Sequence, residues 1–121
     1  MSTNDTYLAV FLGSKTGPRR AAWDALPEAD RRAKEREGMA AWKAWVEKNQ
    51  SVIVAMGGPL GKTKKASQAG IDDTSNLMAA FTVVRADSHE AAAKLFDKHP
   101  HFAIFPGDAV EIMPVLPIPG A

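Results

Sequence analysis

The stretch VIVAMGGPLGKTKK, Val52 to Lys65, decides the fold. A β-branched apolar run, a glycine-rich turn and then Gly61-Lys62-Thr63 is the order in which phosphate-binding loops are written. Such a loop needs a glycine five residues before the Gly-Lys pair, and counting back from Gly61 lands on Met56. Gly57 comes one place too late. The loop must also open a helix whose N-terminal amides face the phosphates. Lys64-Lys65-Ala66-Ser67-Gln68-Ala69-Gly70 has no apolar periodicity and carries a glycine, so no helix is expected there. The stretch reads as a strand, a turn and a polar connection, and a nucleotide-binding fold is set aside.

Outward from this point the pattern is regular. Tyr7-Leu8-Ala9-Val10-Phe11-Leu12 is an apolar run ended by Gly13, which suits a strand with both faces covered. Ser14 to Arg20 reads as a loop. From Pro27 to about Asn49 the chain reads as helix, with Glu28 and Asp30 at its positive end and Lys48 at its negative end. Met39, Trp42, Trp45 and Val46 form its apolar stripe, while Gly38 weakens its middle and suggests a bend. Ser51 to Met56 is a second strand. After a long polar stretch, Leu77 to Arg85 is a third, and Asp87 or Ser88 caps a helix that buries Ala92, Leu95 and Phe96 and stops at His99-Pro100. A last strand, Ala109 to Val115, runs into a proline-rich end.

The order is βαββαβ. Right-handed crossovers fold it as α+β, a ferredoxin-like antiparallel sheet with both helices on one face. Tyr7, Ala9 and Phe11 alternate with Leu8, Val10 and Leu12, and both sets are apolar, so the uncovered face is expected to meet a partner. A homodimer whose two sheets pack face to face, a dimeric α+β barrel, follows as the expectation. Residues 1–121 are read as one domain with flexible tails at 1–6 and 117–121.

Composition narrows the function. A chain of 121 residues with 45% hydrophobic and 24% charged residues has the make-up of an ordinary soluble protein. Its net charge of +1 gives no general pull toward nucleic acid or an anionic membrane. Cysteine is absent, which removes disulfides, thiol catalysis and cysteine-ligated metal. The first residues lack the basic-then-apolar order of a secretion signal, and a cytoplasmic location is expected. No cofactor and no bound metal are expected.

Gly57-Gly58-Pro59-Leu60-Gly61-Lys62-Thr63-Lys64 resembles the "DGPF" signature of the YCII-related family. The resemblance extends to the apolar first strand, the tryptophan-bearing long helix, Ser88-His89-Glu90-Ala91-Ala92, His99-Pro100 and Val110-Glu111-Ile112-Met113-Pro114. It implies the dimeric α+β barrel and says little about chemistry, because most of the family has no assigned function. Gly57 stands where the signature has aspartate, and 66–76 looks like an insertion. Some family members carry a His-Asp pair; here its aspartate position is His99 and its histidine position falls near Ala40 or Ala41, so that dyad is absent.

Polar residues able to do chemistry gather near the C-terminal end. His99 and His101 flank Pro100 in what reads as an extended segment that projects both rings to one side, with Asp108 and Glu111 following. These four are the candidate acid-base residues. Alternation sets Glu111 on the opposite sheet face from Val110 and Ile112, where a barrel cavity would raise its pKa and a rim position would pair it with a cation. Gly57, Gly58, Pro59 and Lys62, with Trp42 and Trp45, are the candidate ligand-binding residues: the turn exposes backbone amides, Lys62 can meet an anion, and one tryptophan can edge a pocket while the other joins the core. Two functions stay open. One is a small-molecule enzyme or binding protein using the barrel cavity; the other is a dimeric interaction or regulatory module without catalysis.

The failed phosphate-loop spacing yields a direct expectation. ATP and GTP with magnesium should show neither saturable binding by calorimetry nor hydrolysis, and Lys62→Ala should leave unfolding stability within about 0.5 kcal/mol of the parent.

Overall fold

A computed structural model describes residues 5–120. Four strands form one antiparallel sheet in the order β2-β5-β1-β6: β1 (Thr6–Leu12), β2 (Ile53–Pro59), β5 (Met78–Arg85) and β6 (Ala109–Pro114). The first strand lies inside and pairs on both sides, Ala9 meeting Thr82 of β5 and Ile112 of β6. This is the ferredoxin-like α+β arrangement that the βαββαβ pattern predicts. Residues 1–4 and 121 of the expected tails lie outside the described residues. Asp5 and Thr6 are held, their carbonyls accepting from Ala86 and Val115.

Alternation decides which face is covered. Tyr7, Ala9 and Phe11 point to one side with Val84 and join Ala92 and Phe96 in the core, each no more than 4% exposed. That side carries α2 (Glu28–Lys48) and α3 (His89–Lys94). Leu8, Val10, Phe81, Val83, Glu111 and Met113 are cross-strand neighbours on the other face, on which no helix packs. The tryptophan stripe anchors α2: Trp42 and Trp45 pack on the core, and Trp45 Nε1 donates to the Leu95 carbonyl at 2.7 Å. Ser88 caps α3, its hydroxyl accepting from the Ala91 amide at 3.0 Å.

Four expectations about local structure are corrected. Ser14 to Arg20 is not all loop, because Pro18 opens a short helix, α1 (Pro18–Asp24), with the proline at its first position. Arg19 holds that helix to the far end of the chain, donating to the Gly107 carbonyl at 2.8 Å and to the Phe102 carbonyl. The polar stretch that looks like an insertion is a two-stranded hairpin, β3 (Thr63–Ser67) with β4 (Gly70–Thr74). Its register sets Lys64 opposite Asp73 and Lys65 opposite Asp72, so pairing of opposite charges supports strands of low β-propensity. Gly38 does not interrupt α2, which runs unbroken from Glu28 to Lys48. The missing side chain admits the ring of Phe105, whose atoms lie 2.5 Å from where a Cβ would be. The segment around Pro100 is also not extended: it forms a helical turn, α4 (Pro100–Ala103), capped by His99.

The edge strand β2 carries the decisive turn. Its pairing with β5 slips between Ile53 and Ala55 and again between Ala55 and Gly58, so two bulges twist the strand away from a flat edge. Gly57 sits in the second bulge at φ 66°, where a Cβ would lie 2.0 Å from the Phe81 carbonyl oxygen. Gly58 next to it has open space around the equivalent point. Gly57→Ala should therefore lose more than about 2 kcal/mol in urea unfolding, while Gly58→Ala should stay within about 0.5 kcal/mol.

Candidate functional site

The bulged strand and the long helix leave a cavity of about 590 Å³ between them. Met39, Trp42, Lys43 and Val46, spaced at one helical face, form its roof together with Trp45. Phe11, Ala80 and Thr82 form the floor, Phe105 closes one side, and Met56, Gly57, Gly58 and Pro59 make the strand wall. The lining is apolar apart from two groups. Thr82, almost fully buried, donates its hydroxyl to the Ala55 carbonyl at 3.0 Å, and Lys43 is exposed at the mouth.

Five of the six expected ligand-binding residues meet here: Trp42, Trp45, Gly57, Gly58 and Pro59. Lys62 does not. It lies at the base of the hairpin on a separate groove with Lys15, Lys64, Asp73 and Asn76. The Gly57 bulge thus shapes an apolar wall, and the neighbouring lysines serve a different surface.

Behind the aromatic roof lies His99, fully buried. Its ring is packed by Trp42 at 4.6 Å, Trp45 at 4.8 Å, Phe11 at 5.1 Å and Phe96 at 5.8 Å between centroids. Lys98 precedes it with φ 56°, a left-handed backbone that turns the chain sharply out of α3. His99 Nδ1 accepts from the His101 amide at 3.0 Å, which is the N-cap bond of α4. A neutral ring that accepts at Nδ1 carries its hydrogen on Nε2, and that atom has no oxygen or nitrogen partner among the described residues. Trp42, perpendicular to the ring, offers only a π surface. Burial, reinforced by the nearby His101, lowers the His99 pKa from 6.5 to about 4.

His101, also buried, donates from Nε2 to the Leu12 carbonyl at 2.7 Å. Its ring fills the space left by Gly107, lying 2.3 Å from where a Cβ at that position would stand. Burial lowers its pKa, and Arg19 acts in the same direction; the bond to Leu12 and the charge of Asp108 oppose them. Both rings do face one side, meeting Phe11 and Trp42, but through a capped helical turn and inside the core.

The carboxylates are placed differently from each other. Asp108 accepts from the Ser14 amide at 2.8 Å and ties the loop after β1 to the start of β6, close enough for its charge to act on His101. Glu111 pairs across the sheet with Val10, on the face turned away from the helices, so the sheet separates it from both histidines. Among the described residues no three His, Asp or Glu side chains are placed to hold a metal ion. No described helix is long and apolar enough to cross a membrane. Sequence reasoning passed over Lys43, which sits within the apolar stripe of α2, and Phe105, whose one sign in the sequence was an unexplained glycine, Gly38, inside a helix.

No family model matches the chain, and no curated protein matches it. Among solved structures it is similar to the 5-chloro-2-hydroxyhydroquinone dehydrochlorinase TftG from Burkholderia phenoliruptrix AC1100, in complex with 2,5-dihydroxybenzoquinone. The two are 17% identical, with 89% of this chain and 90% of that one covered and a TM-score of 0.49. At that level the likeness assigns neither activity nor ligand to this chain.

The buried histidines make stability depend on pH with a definite sign. The folded state disfavours the charged His99, so the unfolded chain binds the extra proton between pH 6.5 and about 4. Stability is full above pH 6.5 and falls as the pH drops, by up to roughly 3 kcal/mol for His99 alone. Urea midpoints measured from pH 7.5 to 4.5 should show this loss. His99→Asn, which keeps an acceptor for the His101 amide, should flatten the slope.

Proposed function

We propose that the protein binds a small, mainly apolar molecule in the cavity between α2 and β2. The observation that supports it is the cavity itself. Its volume of about 590 Å³ lies in the range of roughly 300–1,000 Å³ usual for ligand pockets, and its walls are apolar and aromatic with very few polar groups. A binding role needs only that cavity; acid-base chemistry would also need a titratable group at the ligand. His99 is the nearest buried candidate, one aromatic layer behind the roof. For that reason we place binding before catalysis.

A second element of the proposal is a homodimer formed through the sheet face that carries no helix. Leu8, Val10, Phe81, Val83 and Met113 cluster there beside Glu111, and a largely apolar face of this kind fits a second copy of the same surface. A dimeric interaction or regulatory module without a ligand is the competing function, and the open apolar cavity speaks against it.

Two measurements test these readings. Titration with naphthalene derivatives, neutral or charged, should quench the fluorescence of Trp42 and Trp45 saturably. Val46→Phe, which extends a ring into the cavity, should weaken that binding by about tenfold or more, about 1.4 kcal/mol. Absence of saturable quenching by any of them rejects the cavity as a binding site. Sedimentation at micromolar concentration should give twice the 13.0 kDa chain mass, and Leu8→Glu should return the monomer mass. A monomer for the parent chain rejects the dimer.

A further inference from the structure

The roof of the cavity contains one residue that apolar packing does not explain. Met39, Trp42, Lys43 and Val46 stand at successive helical neighbours on the same face of α2, and three of the four are large apolar side chains. Lys43 occupies the remaining place. Its methylene stem can cover apolar wall while its ammonium stays at the mouth. The ion pairs use Arg20, Arg32, Lys64 and Arg85 as their cations, so Lys43 has no carboxylate within bonding distance among the described residues.

The same stripe continues toward the helix N-terminus. Arg32, Arg36, Met39 and Lys43 follow at intervals of one turn, and an adjoining groove of about 520 Å³ is lined by Arg32, Glu35, Arg36 and Met39. Met39 borders both spaces. Arg32 is taken up by Glu28 at 2.6 Å, whereas Arg36, like Lys43, has no ion-pair partner among the described residues. Glu35 is the one acid in the groove, and the cavity lining has none. An apolar chamber therefore opens at one end onto a margin where free cations outnumber acids.

We infer that the ligand is an amphipathic anion, an apolar and preferably aromatic body seated among the cavity rings with one negatively charged substituent held at the mouth by Lys43. This rests on the cavity being the binding site and adds the charge and polarity of what it takes. The body supplies most of the affinity through burial, and the charge fixes which end enters first. Carboxylates and phosphate esters share the required chemistry. The wider groove beyond Met39, with Arg36, favours the more highly charged of the two.

The test is a set of four ligands of nearly equal shape: 2-naphthoate, 2-naphthyl phosphate, neutral 2-naphthamide and cationic 2-naphthylmethylamine. Affinities come from tryptophan quenching of the parent, Lys43→Met, Lys43→Glu and Arg36→Met. The anions should bind the parent roughly five- to tenfold more tightly than the amide, and the cation more weakly than both. Lys43→Met should erase the anion advantage while leaving the amide unchanged, Lys43→Glu should invert it, and raising salt should reduce it. A loss in Arg36→Met confined to the phosphate assigns the groove to a phosphate ester, and no change there assigns the anion to a carboxylate. Equal binding of anion, amide and cation, or anion binding untouched by Lys43→Met, overturns the inference and leaves the cavity reading standing. Failure of all four ligands to bind the parent overturns both.

Discussion

The His99 ring meets Phe11, Trp42, Trp45 and Phe96 at once, at the centre of a group of rings that also touch one another, Phe11 on Trp42 at 5.2 Å and Trp45 on Phe96 at 5.1 Å. Phe11 belongs to the central strand, the tryptophans to the long helix and Phe96 to the segment after α3. The same imidazole caps the turn that leads to the last strand. Replacing it with an aliphatic residue would keep the packing and lose the cap; a short polar residue would keep the cap and leave a hole. Only a planar ring with an acceptor at Nδ1 does both. The remaining N–H stays without a conventional partner, a penalty of about 1–3 kcal/mol carried for the sake of the junction.

That junction also explains why the cavity lies where it does. Trp42 meets the His99 ring and Trp45 donates to the Leu95 carbonyl, which holds the long helix against Phe11 of β1 and the segment after α3. Strand β2, at the far edge and bulged twice, curls away from it. The gap between a helix held at one side and an edge strand bent at the other is the cavity. Phe11, Trp42, Trp45 and Ala80 belong at once to its walls and to the core.

Much of the fold was legible from period and punctuation. The four sheet strands, the long helix, a cap at Asp87 or Ser88 and the strand order follow from alternation, helical spacing and the handedness of crossovers. What was missed depends on distant parts of the chain. Helix α1 has seven residues and no buried side chain, and it persists because Arg19 reaches carbonyls 83 and 88 positions away. The Pro100 turn had a local signal, a proline able to start a helix. Pro27 carries the same signal and stands one place earlier, at the cap, with Glu28 as the first helical residue. Gly38 looked like a weakness because its partner, Phe105, is far along the chain. At the site, the Gly57-Gly58-Pro59 turn and the two tryptophans were legible as a group. The separation of Glu111 from the histidines was not, since proximity in sequence across a turn says little about which side of a sheet a residue meets.

The hairpin of β3 and β4 leaves two unpaired backbone edges in water, an arrangement that invites chains to stack. Charge assigns each edge its own sign. The β3 edge carries Lys64 and Lys65, and the β4 edge carries Asp72 and Asp73. Two copies related by a two-fold axis would join like edge to like edge, antiparallel, setting lysines against lysines or aspartates against aspartates. Within one hairpin the same residues attract across the ladder, as Lys64 and Asp73 do at 2.6 Å. One pattern of four charges thus closes the ribbon on itself and sets like charges against each other in any two-fold pairing of its edges.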